Sequence, residues 1–86
     1  MNYISINDYF RTPDIHLTAC LCCLGYEVDS IDRTRDQRVF VLKRDDLLDG
    51  YIQQYFSHKL TVDPLSYAHT MKELKTLLYH VYPGIE

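Results

Sequence analysis

The chain has no tryptophan, its glycines stand only at 25, 50 and 84, and it has no excess of basic charge. Each shortage removes a class of function. With glycines so far apart there is no glycine-rich loop to cradle a phosphate. No stretch approaches the roughly 18 consecutive apolar residues of a membrane span. The opening Met1-Asn2-Tyr3-Ile4 has neither the basic segment nor the apolar run of a signal peptide. HExxH and GxSxG are missing, so those short-motif active sites are not visible. A net charge of −3 runs against a dedicated nucleic-acid binder, which carries a basic surplus. Cysteine is odd in number and confined to Cys20, Cys22 and Cys23, so there is no disulfide framework. The three read as reduced thiols. The expectation is a soluble, cytoplasmic protein without a cofactor.

What remains is enough for one globular domain. With 47% hydrophobic and 24% charged residues, the 86-residue chain is too apolar and too evenly charged for disorder. Eight tyrosines take the place of the missing tryptophan. Each buries a ring while keeping a polar tip, which suits a surface used for contacts.

The residue pattern predicts an α+β domain over residues 1–86, three helices with a small antiparallel sheet built on a central β-hairpin. A short strand is expected over Tyr3 to Phe10, broken at Asn7-Asp8. Thr12 caps a first helix, Pro13 takes its first position and Gly25 stops it. Leu17, Leu21 and Leu24 make one apolar sector of that helix, and Ile15, Ala19 and Cys22 another. Only Asp14 and Thr18 mark a polar strip. A helix apolar around most of its girth belongs among its neighbours, so it should be central. Tyr26 to Arg33 and Arg38 to Lys43 read as a hairpin with its turn at Thr34–Gln37. Tyr26 and Val28 share a face while Ile31 falls on the other, which predicts a bulge near Asp29-Ser30. Asp45 caps a second helix reaching Ser57, with Leu47, Leu48, Tyr51, Ile52, Tyr55 and Phe56 on its apolar half. Lys59 to Val62 alternates like a strand. Asp63-Pro64 opens a third helix reaching His80. Its Tyr67, Met71, Leu74 and Leu78 form a 4-3-4 seam, read either as core packing or as the contact of a weak homodimer.

Few constellations point to chemistry. His16-x3-Cys20-x2-Cys23 converges within about 60° of a helix wheel. Imidazole and thiolate suit zinc, with His58, His69, His80 or a carboxylate as fourth ligand. The competing reading is close packing of small thiols, and no metal is assigned. The thiols sit past the helix N-terminus that would activate a nucleophile, so no catalytic residue is assigned. Arg33, Arg35 and Arg38 around the hairpin turn could straddle phosphates. Glu27, Asp29, Asp32, Asp36, Asp45 and Asp46 crowd the same region, and cross-strand ion pairs would explain the same charges. Asp45, Asp46 and Asp49 form an acidic turn that could occupy a basic groove. Lys72, Thr76 and Tyr79 lie on the polar face of the last helix.

Phe10-x-Thr12-x-Asp14, Leu24-Gly25-Tyr26, Arg38-Val39-Phe40-Val41, Leu60-x-Val62-Asp63-Pro64 and Leu74-Lys75-x-Leu77-Leu78-Tyr79 resemble a small domain family of bacterial, phage and other mobile-element genomes. The resemblance spans residues 10 to 80. It implies no activity, so it transfers no catalytic residue. The chain departs from the family at Cys20, Cys22 and Cys23, where other small or apolar residues would serve. The functional expectation is a non-enzymatic protein-interaction domain, in one form an anti-CRISPR-like phage or mobile-element protein that docks on and inhibits a host defence or nucleic-acid enzyme. Its expected contacts are Arg33, Arg35, Arg38, Asp45, Asp46, Asp49, Lys72, Thr76 and Tyr79. A nucleic-acid accessory protein using the basic hairpin tip and a metal-binding domain are the alternatives.

Overall fold

A computed structural model describes residues 8–34 and 36–80, with the side chain of His80 left out. Six elements follow in order: β1 (Tyr9–Thr12), α1 (Ile15–Cys23), β2 (Val28–Asp32), β3 (Val39–Lys43), α2 (Leu48–Phe56) and α3 (Pro64–His80). The molecule is the expected small α+β fold. Of the strand expected over Tyr3 to Phe10, the described part begins at Tyr9 and runs on to Thr12. Residues 1–7 lie outside the described residues.

β3 is the middle strand of the sheet β1-β3-β2, antiparallel to both neighbours. Phe10 pairs with Leu42 and Thr12 with Phe40. On the other side Val28 pairs with Leu42 and Ile31 with Phe40, with a register shift between Val28 and Ser30. Asp29 is therefore the extra residue of a bulge. Val28 and Ile31 are three positions apart, and an unbroken strand would put them on opposite faces. The bulge restores both to the face that carries Phe40 and Leu42, as the sequence pattern requires.

The opposite face of the sheet has its own tie. Arg11, paired with Val41, and Asp32, paired with Val39, stand on the two outer strands. Their side chains form an ion pair that crosses β3. Val41 under it is only 7% exposed.

Leu17, Ala19 and Leu21 of α1 share one buried cluster with Phe40 and Leu42 of β3, Leu48 of α2 and Leu74 of α3. Each fully buried leucine or phenylalanine contributes about 1.5–3 kcal/mol. The Tyr67, Met71, Leu74 and Leu78 seam packs on this cluster, where α3 lies along α1. The seam thus serves the core of its own chain.

Helix ends account for most differences from the sequence pattern. Asp14, not Thr12, caps α1: its Oδ1 accepts from His16 N at 2.9 Å and Leu17 N at 3.1 Å. Thr12 is the buried end of β1, and its hydroxyl accepts from Asp14 N at 3.1 Å. Thr18 does not mark a polar strip, because it is fully buried. Its hydroxyl donates to the Asp14 carbonyl at 2.9 Å, which satisfies it inside the core. Gly25 ends α1 at φ +108°, where Gly25 N bonds Cys22 O and Tyr26 N bonds Leu21 O. These two bonds are the Schellman pair, and the backbone there needs a residue without a Cβ.

α2 begins at Leu48, three residues beyond Asp45, which caps a preceding turn through Leu47 N at 3.1 Å. Leu47 thereby falls outside the helix and stays 63% exposed; Phe56, at the edge of the apolar sector, is 64% exposed. His58 adopts φ +64° and closes α2 with the same bond pair that Gly25 uses, His58 N to Tyr55 O and Lys59 N to Gln54 O. Leu60 N also turns back to Gln54 O. With those amides taken by the helix cap, Lys59–Val62 forms no strand. α3 starts as read, Asp63 Oδ2 accepting from Ser66 N at 2.8 Å.

Candidate functional site

Three helices bring polar groups together at the start of α1. Asp14, placed there as a cap, also accepts from the Tyr55 hydroxyl of α2 at 3.2 Å. Two residues on, His16 Nδ1 lies 2.7 Å from the Tyr67 hydroxyl of α3. Burial first, then the charge of Asp14, pushes the Tyr55 phenol up to about 12. Burial likewise raises Tyr67, with Cys20 and Asp14 adding to it. Both phenols stay protonated; Tyr55 donates to Asp14 and Tyr67 shares a hydrogen bond with His16.

The Cys20 and Cys22 thiols behave in the same way. Burial raises Cys20, helped by Cys23 and Asp14. Burial pushes Cys22 up to about 11, helped by Cys23, Glu73 and Glu27. A protonated thiol is neither a good nucleophile nor a metal ligand. Cys23 Sγ faces Thr70 Oγ1 at 3.9 Å, and His16 is engaged with Tyr67. Among the described residues no three of His, Cys, Asp and Glu gather as a metal site needs. Cys23 thus meets α3 where that helix lies along α1.

The acidic turn is largely committed to internal bonds. Tyr26 Oη donates to Asp45 Oδ1 at 2.5 Å, and burial with this bond raises the Tyr26 phenol. Arg44 Nη1 meets Asp49 Oδ1 at 2.6 Å, while the Arg44 guanidinium also lies 5.7 Å from the Phe10 ring centre. Asp46 is exposed.

The two described arginines of the hairpin, Arg33 and Arg38, differ in setting. Arg33 is half-buried, and its Nη2 donates to Leu78 O at 3.2 Å and Leu77 O at 3.4 Å. Those carbonyls belong to the last turns of α3, the negative end of its dipole. Arg33 thus anchors α3. Arg35 lies outside the described residues, and Arg38 is exposed.

The last helix carries the clearest free surface. Lys72, Thr76 and Tyr79 are all exposed, Tyr79 by 76%. Thr76 Oγ1 turns back to Lys72 O at 3.0 Å. Two members were missed in the sequence. Leu65, the second residue of α3, is 64% exposed, and Lys75 is exposed beside Lys72. The signal for both was spacing: 65-72-76-79 and 68-72-75-79 follow one helical face.

A family model described as a domain of unknown function (DUF5659) matches residues 7–80. No curated protein and no solved structure matches the chain.

Proposed function

Because the chain belongs to the DUF5659 family, whose description names no activity, we propose from its surface chemistry that it is a non-enzymatic protein-interaction domain docking through the outward stripe of α3. The observation that carries this reading is the pair Leu65 and Tyr79, 64% and 76% exposed on one side of a helix whose other side packs on α1. An exposed tyrosine is a common anchor of a protein contact, and polar, solvent-accessible side chains form its rim. The protonated thiols and phenols support a binding role over nucleophilic chemistry. In concrete form, the domain is a phage or mobile-element protein that docks on a host defence or nucleic-acid enzyme and inhibits it.

The test is affinity capture from nuclease-treated host lysate, read by mass spectrometry, with Leu65→Ser/Tyr79→Ser as control. A stoichiometric protein partner lost with the double variant is the expected result. Capture that persists with that variant, or that requires nucleic acid, rejects docking on this stripe.

A further inference from the structure

The stripe has a sign of charge opposite to that of the whole chain. At 100° per residue, Leu65, Ala68, Lys72, Lys75, Thr76 and Tyr79 fall within a sector of about 100°, while Tyr67, Met71, Leu74 and Leu78 fill a separate sector centred about 120° away and pack on the core. All six stripe residues are exposed. The stripe contains two lysines and no carboxylate, in a chain whose net charge is −3. Glu73, the only acidic residue of α3, projects to the flank and lies close enough to Cys22 of α1 to raise its thiol.

Among the described residues neither lysine side chain is drawn into the fold by an ion pair or hydrogen bond. Arg11 and Arg44 are paired with Asp32 and Asp49, and Arg33 is bonded to the end of α3. Among the described residues Lys72 and Lys75 have no ion-pair partner. The two cations therefore stand ready for a charge that comes from elsewhere, with an apolar anchor at each end of the row.

We propose, resting on the docking role above, that the occupant of this stripe is an acidic protein segment, a helix or extended peptide that sets carboxylates against Lys72 and Lys75 and an apolar side chain against Tyr79 or Leu65. Complementary potential fixes the register and speeds encounter, and the apolar ends supply the desolvated contacts. A nucleic-acid backbone fits the row less well. It would meet only two lysines, flanked by leucine and alanine, on a molecule that repels it overall.

Three probes of similar length distinguish the outcomes when added to isotope-labelled full chain: an amphipathic glutamate–leucine peptide, its lysine–leucine counterpart, and a DNA duplex. The glutamate–leucine peptide should shift the amides of Lys72, Lys75, Thr76 and Tyr79, and lose about tenfold in affinity in Lys72→Glu/Lys75→Glu. Equal binding of the lysine–leucine peptide, binding of the duplex at these amides, or shifts confined to other surfaces would each overturn the proposal. Both lysines are exposed, so the charge-reversed chain should keep its circular dichroism. If it keeps a lysate partner that Leu65→Ser/Tyr79→Ser loses, docking on α3 stands and the acidic occupant falls.

Discussion

Arg33 Nη2 donates to the carbonyl oxygen of Leu78 at 3.2 Å, joining residues 45 positions apart. The hairpin loop and the C-terminal end of α3 are held together by a side chain acting on backbone. A cation at that position satisfies carbonyls left over by the helix and opposes the negative end of its dipole.

Replacing Arg33 by Gln should therefore destabilise the fold by about 1–2 kcal/mol and loosen α3 locally. Hydrogen exchange should accelerate most in the last turns of α3, with little change in α1. Uniform acceleration across the chain, or none, would show that the anchor does not hold the helix end.

Alkali should unfold the protein through its tyrosines. The Tyr55 phenol is pushed up to about 12 from its ordinary 10.0, and Tyr67 and Tyr26 are also raised. Folded values above unfolded ones mean stability that is complete below pH 10.0 and lost as pH climbs through the folded values. No tryptophan obscures the phenolate absorbance. That signal and the loss of helical circular dichroism should rise together in the alkaline limb. Full ionisation near pH 10.0 with the fold intact would contradict the burial of these phenols.

In acid the sensitive group is Asp32. The Thr34 hydroxyl and amide, then the Arg11 guanidinium, hold its carboxyl at about 2 against an ordinary 3.8. The depressed folded value makes its contribution present above pH 3.8 and lost as pH falls toward about 2. Asp32→Asn should flatten the stability profile across that window in urea melts. A profile as steep as that of the parent chain would assign the acid limb to other carboxylates.

Two helix ends make opposite predictions from the same geometry. Gly25 at φ +108° should not tolerate a side chain, and Gly25→Ala should cost about 1–2 kcal/mol. His58 at φ +64° already bears the strain of a left-handed residue, so His58→Gly should stabilise by about 1 kcal/mol. Thermal melts of the two variants should move in opposite directions. Parallel shifts would mean that something other than backbone conformation decides.

The Cys22 thiol, pushed up to about 11 chiefly by burial, should react slowly. At roughly pH 8 an alkylating reagent should modify it many-fold more slowly in folded than in denatured protein. Equal rates would mean that α1 opens readily and that its thiols are not held protonated by packing.

These features differ in how far the residues announce them. The bulge at Asp29 was legible because hydrophobic parity changes between Val28 and Ile31, and only one face of the sheet reaches the core. Gly25 announced its own turn, since few other residues occupy that backbone region. His58 performs the equivalent turn with no such mark, because a histidine carries no comparable signal. Thr18 misled because hydroxyl polarity says nothing about whether a carbonyl one turn back will satisfy it. The four-residue alternation at Lys59–Val62 was too short to outweigh a helix cap that claims its first amides. At the surface, Lys72, Thr76 and Tyr79 were legible from helical spacing alone, and all three are exposed. Arg33 was read as a surface charge because its carbonyl partners lie far along the chain, and Asp45 and Asp49 had hydroxyl and guanidinium partners that spacing does not reveal.

The order β1-β3-β2 also sets a timetable for synthesis. The two outer strands leave the ribosome before the one that both must pair with. A nascent chain that ends before Val39 holds β1 and β2 with no β3 to join them. Until Lys43 has emerged, any early order falls to α1 and its glycine-closed end, which need only neighbouring residues. The whole sheet then assembles with the arrival of a single five-residue strand, and α2 and α3 follow onto a core that strand has just completed.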